Sequence, residues 1–460
     1  MSRARRLLSG TLCVGGVALS LHACSTEPPT EYWAAGGSKG AVGGSSGNGR
    51  SGASAGGRAE QPPAEAMGGG GTEEPGQASA AGNGGESQGP IEDGCGAAPV
   101  STSAFTLAAL RSAAAECAGW QYCRFETSAR QMQEAVESHA TLRTAASLET
   151  ARAAWLEAMS LWSEVELFQF GPLGSKSEAA GRDPYHGEGI RDLIYAWPAV
   201  GRCKVEDQVI GRGYASSWST VVISGRGLFG LEYLLFYPGS DTACPASSST
   251  SKVWATLSEA ELQTRKLEYA TALSHDVSER AVALRQAWLP SGGDFASTFV
   301  SAAGYPSGQE AMNVLAWSLV YVERELKDWK LGVPAGYTLT HPVSTPEAPY
   351  ARVAIDNIRG NLRGFRSLFE GCGPAGEGLG FDDWLIKAEK EELARDMLLA
   401  LRAAQAAADA FPRLDAATAE EIDSLYLAIK ALTNLLKAEL FGAGSALNLK
   451  LPAGVEGDTD

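Results

Sequence analysis

In the second half of the chain, apolar residues recur at alternating spacings of three and four. Met312, Leu315, Leu319, Val322, Leu326 and Trp329 form one such stripe, and Ile422, Leu425, Ile429, Leu432 and Leu436 a second. Ala270, Leu273, Val277, Ala281, Leu284 and Trp288 form a third. This period puts each set on one face of an α-helix. Capping boxes stand where such helices should begin: Ser258 with Glu261, Ser307 with Glu310, and Thr418 with Glu421. In each, a hydroxyl and a carboxylate satisfy N–H groups that a first helical turn leaves free. Trp384 to Phe411 reads as a further long Ala/Leu-rich helix, and strand alternation is scarce. The pattern predicts an all-α helix-bundle fold. Its halves cover about 97–250 and 251–460, and Cys244 to Val253 connects them.

The N-terminal pattern is different. Arg3, Arg5 and Arg6 precede a short apolar run from Leu7 to Leu21, closed by Leu21-His22-Ala23-Cys24. Residues 1–23 therefore read as a lipoprotein signal peptide, with acylation at Cys24 after cleavage. Each buried CH₂ of the acyl chains would contribute about 0.8 kcal/mol of membrane affinity. Ser25, rather than aspartate, follows the cysteine, which favours the outer membrane, facing the periplasm or the cell surface. Residues 24–96 are then the acylated cysteine and a disordered Gly/Ser/Ala-rich linker, too poor in large apolar residues to offset ordering entropy. Gly52-Ala53-Ser54-Ala55-Gly56 matches a hydrolase nucleophile pattern, but no strand or helix flanks it.

The formal charge is −16, and loss of Arg3, Arg5 and Arg6 with the leader takes it to −19. Such a surface repels nucleic acid, so no nucleic-acid partner is expected. Apart from Cys13 in the leader and Cys24 as the acylation site, six of the eight cysteines (Cys95, Cys117, Cys123, Cys203, Cys244 and Cys372) remain in the mature chain. In an oxidising compartment these read as disulfides, and Cys203 with Cys244 is the pair the sequence favours. Their spacings form no paired C-x-x-C sets, so the pattern gives no structural zinc site.

The segment Gly225-Arg226-Gly227-Leu228-Phe229-Gly230-Leu231-Glu232-Tyr233-Leu234-Leu235-Phe236 places one carboxylate in an apolar stretch. A buried acid needs an arginine, a metal, a donor cluster or a proton, and which one Glu232 meets bears on function. Val221-Val222-Ile223 before Gly225, Gly227 and Gly230 also fits a dinucleotide fingerprint, but no strand and helix alternation surrounds it. The glycines read instead as positions of close helix approach.

Several stretches resemble the imelysin family of bacterial envelope proteins. They include Trp155-Leu156-Glu157-Ala158, leading to Glu166-Leu167-Phe168-Gln169-Phe170-Gly171-Pro172, and Arg191-Asp192-Leu193-Ile194-Tyr195-Ala196-Trp197-Pro198 with Cys203. They also include Lys327-Asp328-Trp329-Lys330-Leu331-Gly332-Val333-Pro334-Ala335-Gly336, Asp356-Asn357-Ile358 with Asn361, and the acidic end Gly457-Asp458-Thr459-Asp460. The resemblance implies two packed helical bundles, an envelope location and a link to iron uptake; founding members are called peptidases. The family's G-x-H-x-x-E signature falls on Gly227, Phe229 and Glu232, so the histidine is absent. Phenylalanine can neither ligate a metal nor move a proton.

His186 is the best substitute ligand. His139 falls on the stripe of Met132, Val136 and Leu142 and reads as a core or rim residue. His275 with Glu279 reads as a solvated helix face, and His341 lies in a loop. H-E-x-x-H is absent from the chain, so a zincin mechanism has no ligands. Glu166 ends the stripe of Trp155, Met159 and Trp162 and should point inward, towards Arg191 or Arg226 as ion-pair partner. Gln309 and Asn313 should face Glu232 across a shared cleft if the halves are duplicates. The expected cleft thus comprises Glu166, Arg191, Trp197, Glu232, Gln309 and Asn313, with Glu232, Glu166 and His186 as candidate metal ligands and Cys24 as the lipidation site. The expected function is an envelope-tethered, non-catalytic binding module for iron, another divalent metal or a metal complex. A metal-dependent peptidase and a structural or interaction lipoprotein are the alternatives.

Overall fold

The computed structural model describes residues 94–175, 183–337, 346–373, 376–442 and 444–452. The expected leader, Cys24 and the linker up to residue 93 lie outside them, as does His341. The α-helices are α1 (Leu107–Leu142), α2 (Ala145–Val165), α3 (Ile190–Ile194), α4 (Arg202–Gly211), α5 (Gly227–Phe236), α6 (Ser249–Trp254) and α7 (Glu259–Trp288). They continue as α8 (Phe295–Val300), α9 (Gly308–Trp317), α10 (Val333–Ala335), α11 (Ala354–Phe369), α12 (Phe381–Lys387), α13 (Glu391–Asp409) and α14 (Ala419–Leu435). The described residues also form two π-helices, Val322–Gly332 and Leu436–Leu440, and several short 3-10 turns. Among the described residues there is no strand, only an isolated bridge between Phe441 and Leu449. No helix among them is long and apolar enough to cross a membrane.

Helices α1, α2, α5 and α7 pack side by side, and the first π-helix, α11, α13 and α14 pack in the same way. Contact between α2 and α11 joins the groups. Helix α7 lies beyond residue 250 yet packs on α1 and α5. Buried tryptophans tie helices together as donors: Trp155 Nε1 to Leu228 O (3.0 Å, α2 to α5) and Trp288 Nε1 to Ala115 O (2.8 Å, α7 to α1). An indole buries a large apolar area and still has to place its N–H, so these contacts fix register as well as volume.

The capping boxes of α7 and α14 form in both directions. That of α9 forms by half. Ser307 accepts from Glu310 N–H at 3.1 Å, but the Glu310 carboxylate takes Tyr185 Oη (3.1 Å), Asn313 Nδ2 (2.9 Å) and Lys450 Nζ (3.4 Å) instead. The single helix expected from Trp384 to Phe411 is two, because Glu389 takes a left-handed φ of 59° between α12 and α13. The Met312 to Trp329 stripe also breaks. Bonds from residue i to i−3 tighten the chain at Ser318–Glu323, and the π-helix then widens it.

The glycines of α5 allow close approach, as expected. A Cβ on Gly227, at φ +70°, would lie 2.2 Å from Ile194 O, and one on Gly230 would lie 2.8 Å from Leu273 Cδ1. All six cysteines pair: Cys95–Cys123, Cys117–Cys372 and Cys203–Cys244. Cys95, in the stretch read as linker, is thereby held to α1. The Cys117–Cys372 bond closes a loop across 255 residues and links α1 to the end of α11.

Candidate functional site

Five separate elements bring ionisable side chains to one fully buried place. Glu166 closes α2, and its N–H bonds Trp162 O, which aims the carboxylate inward past the Trp155, Met159 and Trp162 face. Arg191 comes from α3, Glu232 from α5, Lys330 from the first π-helix and Glu347 from the segment before α11. Helix α11 adds Asn357 and Asn361 one turn apart.

Lys330 is the hub. Its Nζ lies 2.6 Å from Glu166 Oε1, 2.8 Å from Glu347 Oε1 and 2.9 Å from Asn361 Oδ1. Asn361 Nδ2 returns a bond to Glu166 Oε1 at 2.9 Å. Arg191 Nη2 is 3.9 Å from Glu166 Oε2 and donates to Trp197 O at 2.8 Å, while Nη1 donates to Asp192 at 2.9 Å. Glu166 therefore meets Arg191, as expected. Arg226 does not join them; it pairs with Asp276, an acid the sequence had not singled out, with Nε at 3.1 Å.

Burial would raise the Glu166 carboxyl, but the Lys330 and Arg191 charges and the bonds from Lys330 and Asn361 hold it below the usual value. Glu347 is raised by burial, which Lys330 offsets only in part and which Glu166 reinforces. Among the described residues, none forms an ion pair with Glu232. Its Oε1 accepts from the N–H groups of Tyr350 (2.7 Å) and Ala351 (2.9 Å), yet burial, reinforced by Glu347, pushes its carboxyl up to about 8. Of the four expected partners, Glu232 meets a donor pair and a proton.

Around these charges, several fully buried polar atoms have no hydrogen-bond partner among the described residues. They are Oε2 of Glu166, Glu232 and Glu347, the hydroxyls of Tyr195 and Tyr321, and Trp197 Nε1. Burial raises both tyrosines well above their ordinary range, with neighbouring carboxylates adding to the effect, so they remain neutral donors. Orphaned buried polar atoms are rare, and a set of them clustered together marks a place for water or a ligand.

Other expected residues lie elsewhere. Asn313 uses its amide on Glu310 Oε2 and on Lys450 N–H (3.2 Å), so it faces the C-terminal segment rather than Glu232. Gln309 Nε2 is buried without a hydrogen-bond partner among the described residues, at the start of α9. His186 packs on Phe295 and Tyr305, with Nε2 3.0 Å from Ala303 O. Its ligand atoms do not gather with those of Glu166 and Glu232: among the described residues the one such trio within 4.8 Å is Cys203, Asp207 and Cys244. His139 meets Ser147 Oγ at 3.0 Å. His275 pairs with Glu137 of α1 at 2.7 Å, where the sequence had suggested Glu279. Phe229, in place of the motif histidine, is buried with its ring 6.3 Å from that of Tyr350.

Lys330, Asn361 and Tyr195 stand inside the segments that resemble the family but are not among the residues expected at the site. A lysine flanked by apolar residues at the end of a stripe was the available signal. Glu347, between two prolines, carried none.

Comparison with known proteins agrees with this architecture. The crystal structure of an imelysin-like protein from Psychrobacter arcticum 273-4 superposes with a TM-score of 0.55 at 14% identity, covering 75% of this chain and 98% of that one. Iron-regulated protein A of Synechococcus elongatus is 23% identical over 256 residues, which span 54% of this chain and 60% of that protein. The family model for imelysin, peptidase family M75, matches residues 120–438, well over half of the sequence. The chain belongs to the imelysin family.

Proposed function

We propose that the chain is an envelope-tethered, non-catalytic binding module that takes an iron or other metal complex at the Glu166, Arg191, Glu232, Lys330 and Glu347 cluster. The observation that carries this reading is the set of orphaned buried oxygens on three carboxylates and two tyrosines. Hard oxygen donors suit hard cations. Because no three of these acids hold their ligand atoms within 4.8 Å, a metal that brings ligands of its own fits better than a bare ion. Arg191, Trp197 and the tyrosine hydroxyls would then meet the complex's anionic oxygens. The link to iron draws on the name of the Synechococcus elongatus relative.

Calorimetric titration of the purified full-length protein with ferric citrate is expected to show one equivalent bound, and Glu232→Ala with Glu347→Ala is expected to lose it. Equal uptake by the variant would reject the site. Purified protein is also expected to show no chelator-sensitive cleavage of unfolded protein substrates, since Phe229 supplies neither ligand nor base. Cleavage abolished by both chelator and Glu232→Gln would establish the peptidase reading. Tethering rests on Cys24. Cys24→Ser is expected to move the protein from the membrane to the soluble fraction, and unchanged fractionation with outer membrane would count against an acyl anchor.

A further inference from the structure

Away from that cluster, the fold assembles a ligand set that cysteine spacing alone does not reveal. Cys203 and Asp207 stand four residues apart on α4, on one face of the helix, and Cys244 reaches them from the irregular segment before α6. The two sulfurs and a carboxylate oxygen lie within 4.8 Å of one another, with Cys244 Sγ 3.8 Å from Asp207 Oδ1. The carboxylate is held in place: Thr250 Oγ1 donates to Oδ1 at 2.6 Å, and Lys204 Nζ sits 3.3 Å from Oδ2. Metal-ligating carboxylates are commonly oriented by such outer hydrogen bonds. As the protein stands, the sulfurs are bonded to each other and cannot ligate.

We propose that Cys203, Cys244 and Asp207 form a reduction-gated site for a borderline-soft divalent cation of the zinc type. The reductant is a dithiol, which passes two electrons and two protons to the Cys203–Cys244 bond and is itself oxidised to a disulfide. The two thiols then lose their protons as the cation binds, giving two thiolates and one carboxylate. Zinc to sulfur bonds of about 2.3 Å set the sulfurs about 3.8 Å apart in a tetrahedral site. That is a side-chain rotation for Cys244, which lies outside any helix. Cys203 and Asp207 are only partly buried, so water can complete the coordination. The site is independent of the buried acid cluster and of its proposed ligand.

The test uses cobalt(II) as a spectroscopic probe and zinc as competitor on the full-length protein, oxidised and dithiol-reduced. The control is a Cys203→Ser/Cys244→Ser double variant that keeps the other two disulfide pairs. Reduced wild type is expected to bind one equivalent more than the reduced double variant, with a thiolate-to-cobalt band that the oxidised protein lacks. Asp207→Asn retains both sulfurs and is expected to weaken this uptake at least about tenfold. Equal uptake by reduced wild type and double variant, equal uptake by oxidised and reduced protein, or loss of helical signal on reduction before any cation binds would each overturn the proposal.

Discussion

Replacing Lys330 with methionine is expected to destabilise the protein by about 3–5 kcal/mol, the usual consequence of removing one partner from a buried ion pair. Methionine keeps most of the side chain's length, so the packing loss is small and the effect reports charge. Glu166 would retain Arg191 at 3.9 Å and Asn361, but Glu347 would lose its one ionic partner among the described residues, with both oxygens buried. Glu347→Gln in the Lys330→Met background is expected to recover part of the loss, giving a coupling energy of about 0.5–3 kcal/mol. Urea unfolding of the four proteins measures both quantities. A loss below about 1 kcal/mol for Lys330→Met would show that the acids discharge by taking up protons, so that Lys330 is not what keeps them buried.

Position in sequence explains which parts of this arrangement could be read in advance. The stripes of α7 and α14 match their helices because the signals are local: period, hydroxyl cap and carboxylate cap lie within one continuous segment. The breaks at Glu389 and at Ser318–Glu323 were not legible, since neither carries a glycine or proline and tertiary packing overrides the helical pattern there. Glu166 was readable as inward-pointing from its aromatic stripe. Its partner Lys330 was not, since it sits 164 residues later, on a π-helix of eleven residues whose period departs from the 3.6-residue pattern of the stripe. π-Helical turns are rare and are frequently found at functional sites. Asn313 shows the opposite failure. An i, i+4 polar pair on a buried helix suggested a shared cleft, but the C-terminal segment, which has no periodic signal, supplies the partner.

Glu232 is where sequence and structure together give the sharpest expectation. Among the described residues Glu232 has no ion-pair partner for Glu232→Gln to remove, so at pH 5 the variant is expected to be about as stable as the wild type. The difference should grow with pH. The folded state holds the Glu232 proton up to about pH 8, whereas the unfolded chain releases it near 4.5. Between these values the folded form binds more protons than the unfolded form, and stability falls as pH rises. The contribution is fully present below about pH 4.5 and exhausted above about pH 8, a change on the order of 5 kcal/mol. Glutamine carries no proton to lose, so this slope should be absent from Glu232→Gln and the variant should be the more stable protein at pH 9. Subtracting the two unfolding free energies at each pH cancels every group that titrates alike in both. A difference that stays flat from pH 5 to 9 would mean that Glu232 ionises normally in the folded protein. A variant strongly destabilised at pH 5 would mean that it serves as a structural support rather than a carboxyl kept ready for a ligand.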